Sequence, residues 1–162
     1  MQVIKYPADI LRQECEKVKN FDSELLSNVE KMKNIMNETD AVGLAANQVG
    51  LKSRLFLIRE MSTDSIKVFV NPNILEKIGQ TDIKEGCLSV PGFSAIVPGR
   101  ASQVHVKARD ELGVEFEIVA EGVEAVAIQH ENDHLDGIMF LDKLPRKQRR
   151  LAEKFVRKNV DK

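Results

Sequence analysis

The sequence predicts an α+β fold, with antiparallel or mixed β-sheets packed around a central helix and a basic helix at the C-terminal end. Three observations carry this. Strand-like segments cluster in the middle of the chain, with helical periodicities before and after them. No regular βαβ alternation is present, which argues against a doubly wound parallel sheet. The segment before His130 is apolar on nearly all sides, as expected of a helix enclosed by other elements.

The elements follow in chain order. Residues 22–38 read as a helix, because Leu25, Val29, Met32 and Met36 recur at helical spacing. Asp22 is placed to cap it, and Phe21 to staple onto Leu26. Two strands are expected at 54–59 and 66–71, with the polar Ser62–Ser65 between them, and a third at 74–78. Residues 103–109 alternate, Val104 and Val106 against His105 and Lys107, and Asp110–Gly113 turns the chain into 114–120 as a hairpin. Residues 123–136 form the enclosed helix, ended by Gly137 at C′. The last helix runs from about Pro145 to 160, with Leu151, Ala152, Phe155 and Val156 as its apolar stripe.

A length of 162 residues fits one domain, expected to span 1–162 with 143–162 as its basic C-terminal part. No apolar run approaches the ~20 residues of a membrane span. The N-terminus lacks a signal-peptide pattern, and two cysteines, Cys15 and Cys87, do not make a disulfide scaffold. A cytoplasmic protein is therefore expected. The net charge of −1 conceals an asymmetry: residues 143–162 carry nine Lys/Arg and two Asp/Glu, a balance of +7 against −8 elsewhere. An acidic body argues against sequence-specific nucleic-acid binding and leaves the tail to meet something anionic.

Chemistry concentrates in three segments. In His130-Glu131-Asn132-Asp133-His134 the histidines lie four apart, so a helix puts both imidazoles on one face, able to grip one metal ion. Glu131 is close enough to act on a metal-bound water. A surface helix with two unrelated histidines is the plainer alternative, and the apolar segment preceding it disfavours that. A catalytic site of this kind needs a third protein ligand. A third histidine six residues beyond the second is absent, since Phe140 stands there. Glu153 lies among Arg149, Arg150, Lys154 and Arg157, where a surface ion pair is the simpler role. Cys87, in Glu85-Gly86-Cys87-Leu88-Ser89, offers a thiolate, with Gly86 before it to bring the backbone close; the alternative is a small buried apolar residue. The third segment, Val42-Gly43-Leu44-Ala45-Ala46-Asn47-Gln48, is rich in small residues, and Gln48 can donate an N–H to an oxygen that gains charge.

Taken together, Ala41–Gln48, Glu85–Ser89 and Gln129–His134 resemble the three signature motifs of peptide deformylases, in the family's order and with similar separations. Tyr6-Pro7, Asn71-Pro72 and the basic C-terminal helix also look like the bacterial form. Two positions depart from the family pattern: Ala41 stands where Gly is usual, and Asn47 where Pro is common. Alanine requires a backbone without positive φ at that point.

The resemblance implies a hydrolase that removes the N-formyl group from the initiator methionine of nascent chains, releasing formate. It implies one divalent metal ion on Cys87, His130 and His134, Fe²⁺ in cells, although the donor set also suits Zn²⁺, Co²⁺ and Ni²⁺. Glu131 would serve as acid and base, with the Gln48 amide and the Leu88 backbone N–H as donors to the oxyanion. Gln129 and Asp133 would act behind the ligands. The methionine pocket would include Val42, Ile83, Val123, Val126, Ala127 and His130, the last four on one helix face. The peptide would add as a strand beside Val42, Gly43 and Leu44 on one side and Gly86 to Leu88 on the other. The family also implies docking of the basic helix on ribosomes. Removal from Asp142 onward is then expected to abolish docking and spare small-peptide hydrolysis. The rival readings are an HExxH metalloprotease, or a non-catalytic metal-binding or ribosome-associated protein, for which Glu131 and Gln48 would have no use.

Overall fold

A computed structural model describes residues 1–159, so the last three residues of the basic segment lie outside the described part. The fold is α+β. Among the described residues three α-helices, α1 (Ser23–Thr39), α2 (Gly122–Leu135) and α3 (Arg146–Asn159), accompany seven strands. These are β1 (Gly43–Ala45), β2 (Leu55–Arg59), β3 (Ile66–Ile78), β4 (Lys84–Cys87), β5 (Val90–Ile96), β6 (Gln103–Arg109) and β7 (Glu115–Glu121). One five-stranded antiparallel sheet runs in the order β1-β2-β3-β6-β7, and β4 pairs with β5 in a separate antiparallel pair.

Alternation along β2 explains how that sheet divides the core. Leu55 and Leu57 face a cluster with Leu25, Val29, Met32 and Met36 of α1. Phe56 and Ile58 face the other way, onto Ala125, Ile128 and Leu135 of α2, together with Phe69, Val104 and Val106. Both faces are covered, so β2 reads as an unbroken apolar run. A third cluster joins Val90 and Ala95 of β5 to Leu11, Met139, Phe140, Leu141, Leu144 and Ala152 of α3.

Asp22 caps α1 by accepting the N–H of Leu25 at 3.0 Å. Phe21 packs against the α1 core, whereas Leu26, expected to meet it, is exposed. Gly137 ends α2 at C′ with φ +73°, and a β-carbon there would stand 2.5 Å from the Arg12 carbonyl oxygen, so only glycine fits.

Three further expectations need correction. The strands expected at 66–71 and 74–78 are one strand, β3, whose register against β6 shifts between Val70 and Asn73. Asn71 (φ +50°) and Pro72, which has no N–H to donate, sit in that irregularity, so the chain bends without leaving the sheet. β4 and β5 fall outside the expected strands, because Gly86, Gly92 and Pro91 dilute their alternation. Leu151 does not belong to the packed stripe of α3: it is 56% exposed, while Ala152 is buried. Cys15, in a polar stretch, is buried, with its N–H bonded to the Leu135 carbonyl at 2.8 Å and its thiol pushed up to about 11 by burial.

Candidate active site

α2 carries the centre of the site. Its position is fixed by the apolar residues beneath it and by what meets the carbonyls of its last turn. The Asn47 side chain donates to the His134 carbonyl at 2.6 Å, and Arg54 donates to the Leu135 carbonyl at 3.1 Å and to Asp136 at 2.7 Å. The asparagine at the position where proline is common in the family thus ties the loop after β1 to the histidine-bearing turn. Ala41 is not among the residues with positive φ, so its β-carbon is accommodated without strain.

His130, His134 and Cys87 converge. His134 Nε2 lies 3.2 Å from His130 Nε2 and 3.4 Å from Cys87 Sγ, and one donor atom from each residue falls within 4.8 Å of the others. Two imidazole nitrogens and a sulfur gathered this closely fit a single divalent ion with borderline-soft donors. His130 uses Nδ1 to bond Glu85 at 2.9 Å, which leaves Nε2 for the ion. Gly86 does not bring its backbone against a neighbour, as a β-carbon there meets only the Phe93 carbonyl at 3.8 Å. The close approach is at Gly43, opposite Glu131.

A buried charge network supports His130. Arg100 bonds Glu85 through two nitrogens, at 2.8 and 2.9 Å, and Asp133 at 2.7 Å. Lys143 reaches the same Asp133 oxygen that Arg100 holds, at 3.1 Å. Burial works against charge on Glu85, but its bonds to His130 and Arg100 hold its carboxyl below the usual range. Arg100 carries no signal in the sequence, where it follows Pro98-Gly99 with no motif around it; an arginine with 4% exposure becomes a signal only once burial is known. Gln129 bonds both the N–H and the carbonyl of Ala101, so it fixes the strand-entry segment that carries Arg100.

Glu131 is buried beside this cluster, and burial pushes its carboxyl up to about 7. Its Oε1 has no partner among the described residues. Burial also pushes His134 well down. His130 is held up despite burial by Glu131, then by Cys87 and Glu85. Gln48 points its amide nitrogen at the centre, 3.3 Å from Cys87 Sγ.

A cavity of about 660 Å³ opens from this cluster, lined among others by Val42, Ile83, Val123, Val126, Ala127 and His130. It runs between the free edges of β1 and β4, since among the described residues β1 pairs only with β2 and β4 only with β5. Gly43, Gly86 and Leu88 border it. Glu153 lies outside it, paired with Arg149 at 3.3 Å. A family model described as polypeptide deformylase matches residues 1–150. The chain belongs to that family.

Solved structures agree. A peptide deformylase from Legionella pneumophila is 38% identical, with a TM-score of 0.91 over 97% of this chain and 93% of that one. The enzyme from Thermus thermophilus is also 38% identical, with a TM-score of 0.86 over 98% and 92%. A Synechococcus elongatus peptide deformylase, solved in complex with actinonin, is 32% identical, with a TM-score of 0.89 over 98% and 87%. The chain is therefore an enzyme with deformylase activity, a metal-dependent hydrolase of protein biosynthesis that acts on formylated nascent peptides. Among the described residues no helix is long and apolar enough to cross a membrane.

Proposed function

We propose that this deformylase acts in the cytoplasm with Fe²⁺ held by Cys87, His130 and His134, and that the residues lining the cavity divide the work as follows. The observation that carries the reading is the placement of Glu131, buried and with a carboxyl near neutrality, beside the Cys87–His130–His134 cluster at the inner end of an apolar cavity. Cys87, His130 and His134 would hold the ion, which would supply Lewis acidity to lower the pKa of a water molecule there. Glu131 accepts the proton of the attacking water and returns it to the leaving amine nitrogen as the formyl C–N bond breaks, giving formate and a free N-terminus. The Gln48 amide and the Leu88 N–H donate to the formyl oxygen as charge develops on it.

The methionine side chain enters the pocket of Val42, Ile83, Val123, Val126, Ala127 and His130. The following peptide hydrogen-bonds as a strand to the free edges of β1 at Gly43 and β4 at Gly86, which recognises backbone and tolerates sequence. Formate release from a formyl-Met peptide, measured with metal content by elemental analysis, tests the assignment. Unformylated peptides are expected to remain intact, and their cleavage would reinstate the metalloprotease reading.

The same reading assigns α3 to the ribosome. Arg146, Lys147, Arg150 and Lys154 surround a shallow groove on its outer face, suited to phosphates. Truncation from Asp142 is not the harmless change that the sequence suggests. Leu144, Ala152, Phe155 and Val156 pack with Val90, Phe93 and Cys87, and Phe155 lies 5.7 Å, ring to ring, from Phe93 at the cavity rim. Deletion from Asp142 therefore removes part of the core behind Cys87, so charge substitutions on α3 are the clean test of docking.

A further inference from the structure

The chain between Val3 and Pro7 runs past the back of the cavity and is bonded to both segments that carry the oxyanion donors. The Ile4 N–H donates to the Gln48 carbonyl at 2.7 Å, and the Tyr6 N–H to the Ser89 carbonyl at 2.8 Å. Lys5 Nζ donates to the Leu88 carbonyl at 2.9 Å. Ser89 Oγ donates to the Ile4 carbonyl at 2.7 Å and accepts from Gln48 Nε2 at 3.1 Å.

Donor and acceptor arithmetic gives this arrangement a direction. A carbonyl oxygen only accepts, so the Ile4 carbonyl takes the single hydroxyl proton of Ser89. With that proton committed, Ser89 Oγ faces Gln48 as an acceptor and selects the NH₂ end of its amide. The other end is fixed independently, because Gln48 Oε1 accepts the Ala45 N–H at 2.9 Å. The amide cannot turn over without losing both bonds, and its second N–H is left facing the Cys87 side of the cavity. Ser89 and Gln48 are each about 1% exposed, so water does not substitute for either partner.

We propose that residues Ile4–Tyr6 are a positioning strap for the oxyanion site, with Ser89 as the positioning residue that passes the strap's polarity to Gln48 and Lys5 as the anchor of the Leu88 turn. The proposal rests on the oxyanion role of Gln48 and Leu88 given above.

Kinetics of the metal-loaded enzyme with a formyl-Met peptide test it. Ser89→Ala is expected to lower kcat about 10-fold with KM within about twofold and metal content unchanged, because the lost alignment matters only as charge develops. Ser89→Thr, which keeps the hydroxyl, should recover most of that loss. Lys5→Met, at an exposed position, should lower kcat about threefold by freeing the Leu88 turn. In the zinc-loaded protein the Gln48 side-chain amide protons, followed by NMR, should exchange faster in Ser89→Ala than in the parent. Unchanged kcat or unchanged amide exchange in Ser89→Ala overturns the strap, as does unchanged kcat in Lys5→Met. If Gln48→Ala itself keeps full turnover, the oxyanion reading fails first and the strap with it; if Gln48→Ala loses turnover while Ser89→Ala does not, only the strap fails.

Discussion

Gly43 faces Glu131 so closely that a β-carbon at residue 43 would stand 2.7 Å from Glu131 Oε2 and 2.9 Å from its Cγ. The edge strand β1 is therefore admitted to the site only because residue 43 has no side chain, and the Glu131 carboxylate rests against bare backbone. Gly43 is not at positive φ, so the constraint is one of space rather than of backbone conformation.

Gly43→Ala should consequently act through Glu131. The added methyl must push the carboxylate out of line, and a displacement of about 1 Å can cost on the order of 10²-fold in rate. Steady-state kinetics should show that loss in kcat with metal content and melting temperature close to the parent. A variant with parental kcat would mean that Glu131 has room the structure does not show.

Glu131→Gln should keep the metal and lose about 10²–10⁴-fold in kcat, since the ligands stay and the proton carrier goes. The pH dependence follows from the same group. Burial raises its carboxyl to about 7, so below that pH it increasingly holds a proton and cannot accept one. The rate kcat/KM should fall as pH drops through the pKa of Glu131, with a midpoint at or below about 7, because a bound cation favours the carboxylate. Loss of metal in Glu131→Gln would make Glu131 a ligand instead.

Arg100→Met should destabilise the protein strongly. It leaves Glu85 and Asp133, both paired to Arg100 in the parent, as buried carboxylates with too few partners. Breaking such a pair from one side costs about 3–5 kcal/mol, which in a protein of this size lowers the melting temperature by about 10 °C. Thermal unfolding of the zinc-loaded variant measures this directly. A melting point within a degree or two of the parent would show that the network is dispensable.

Replacing Arg146, Lys147, Arg150 and Lys154 together by glutamine should abolish ribosome co-sedimentation at low salt and leave hydrolysis of a small formyl-Met peptide within about twofold of the parent. These side chains line an exposed groove and none is packed in the core. The slope of log affinity against log salt should also flatten by up to about 3 as phosphate contacts are lost. Equal binding by variant and parent would end the docking proposal.

Local pattern in the sequence carried a good deal. The His130–His134 spacing, the apolar stretch before it and the capped stripe of α1 are short-range features, set by helical period alone, and they appear in the structure where expected. The α+β class followed from the same reading, as did Cys87 as a candidate partner of the histidine pair. What pattern did not carry was β3 as one bent strand, β4 and β5, and the exposure of Leu151 on α3. A bulge at Asn71-Pro72 looks like a strand end when only alternation is visible, and strands interrupted by glycine show no alternation.

The sequence by itself determined which residue types this protein brings to chemistry: a thiol, two imidazoles one helical turn apart, an acid between them and an amide upstream. Tertiary structure alone decided their support. Arg100 meets Glu85 and Asp133 across 15 and 33 residues, Asn47 meets His134 across 87, and Ser89 meets Ile4 across 85. No periodicity encodes such pairs. Each exists because burial removes the water that would otherwise satisfy these polar groups, and the folded chain must then supply the partner from wherever in its length the packing brings one.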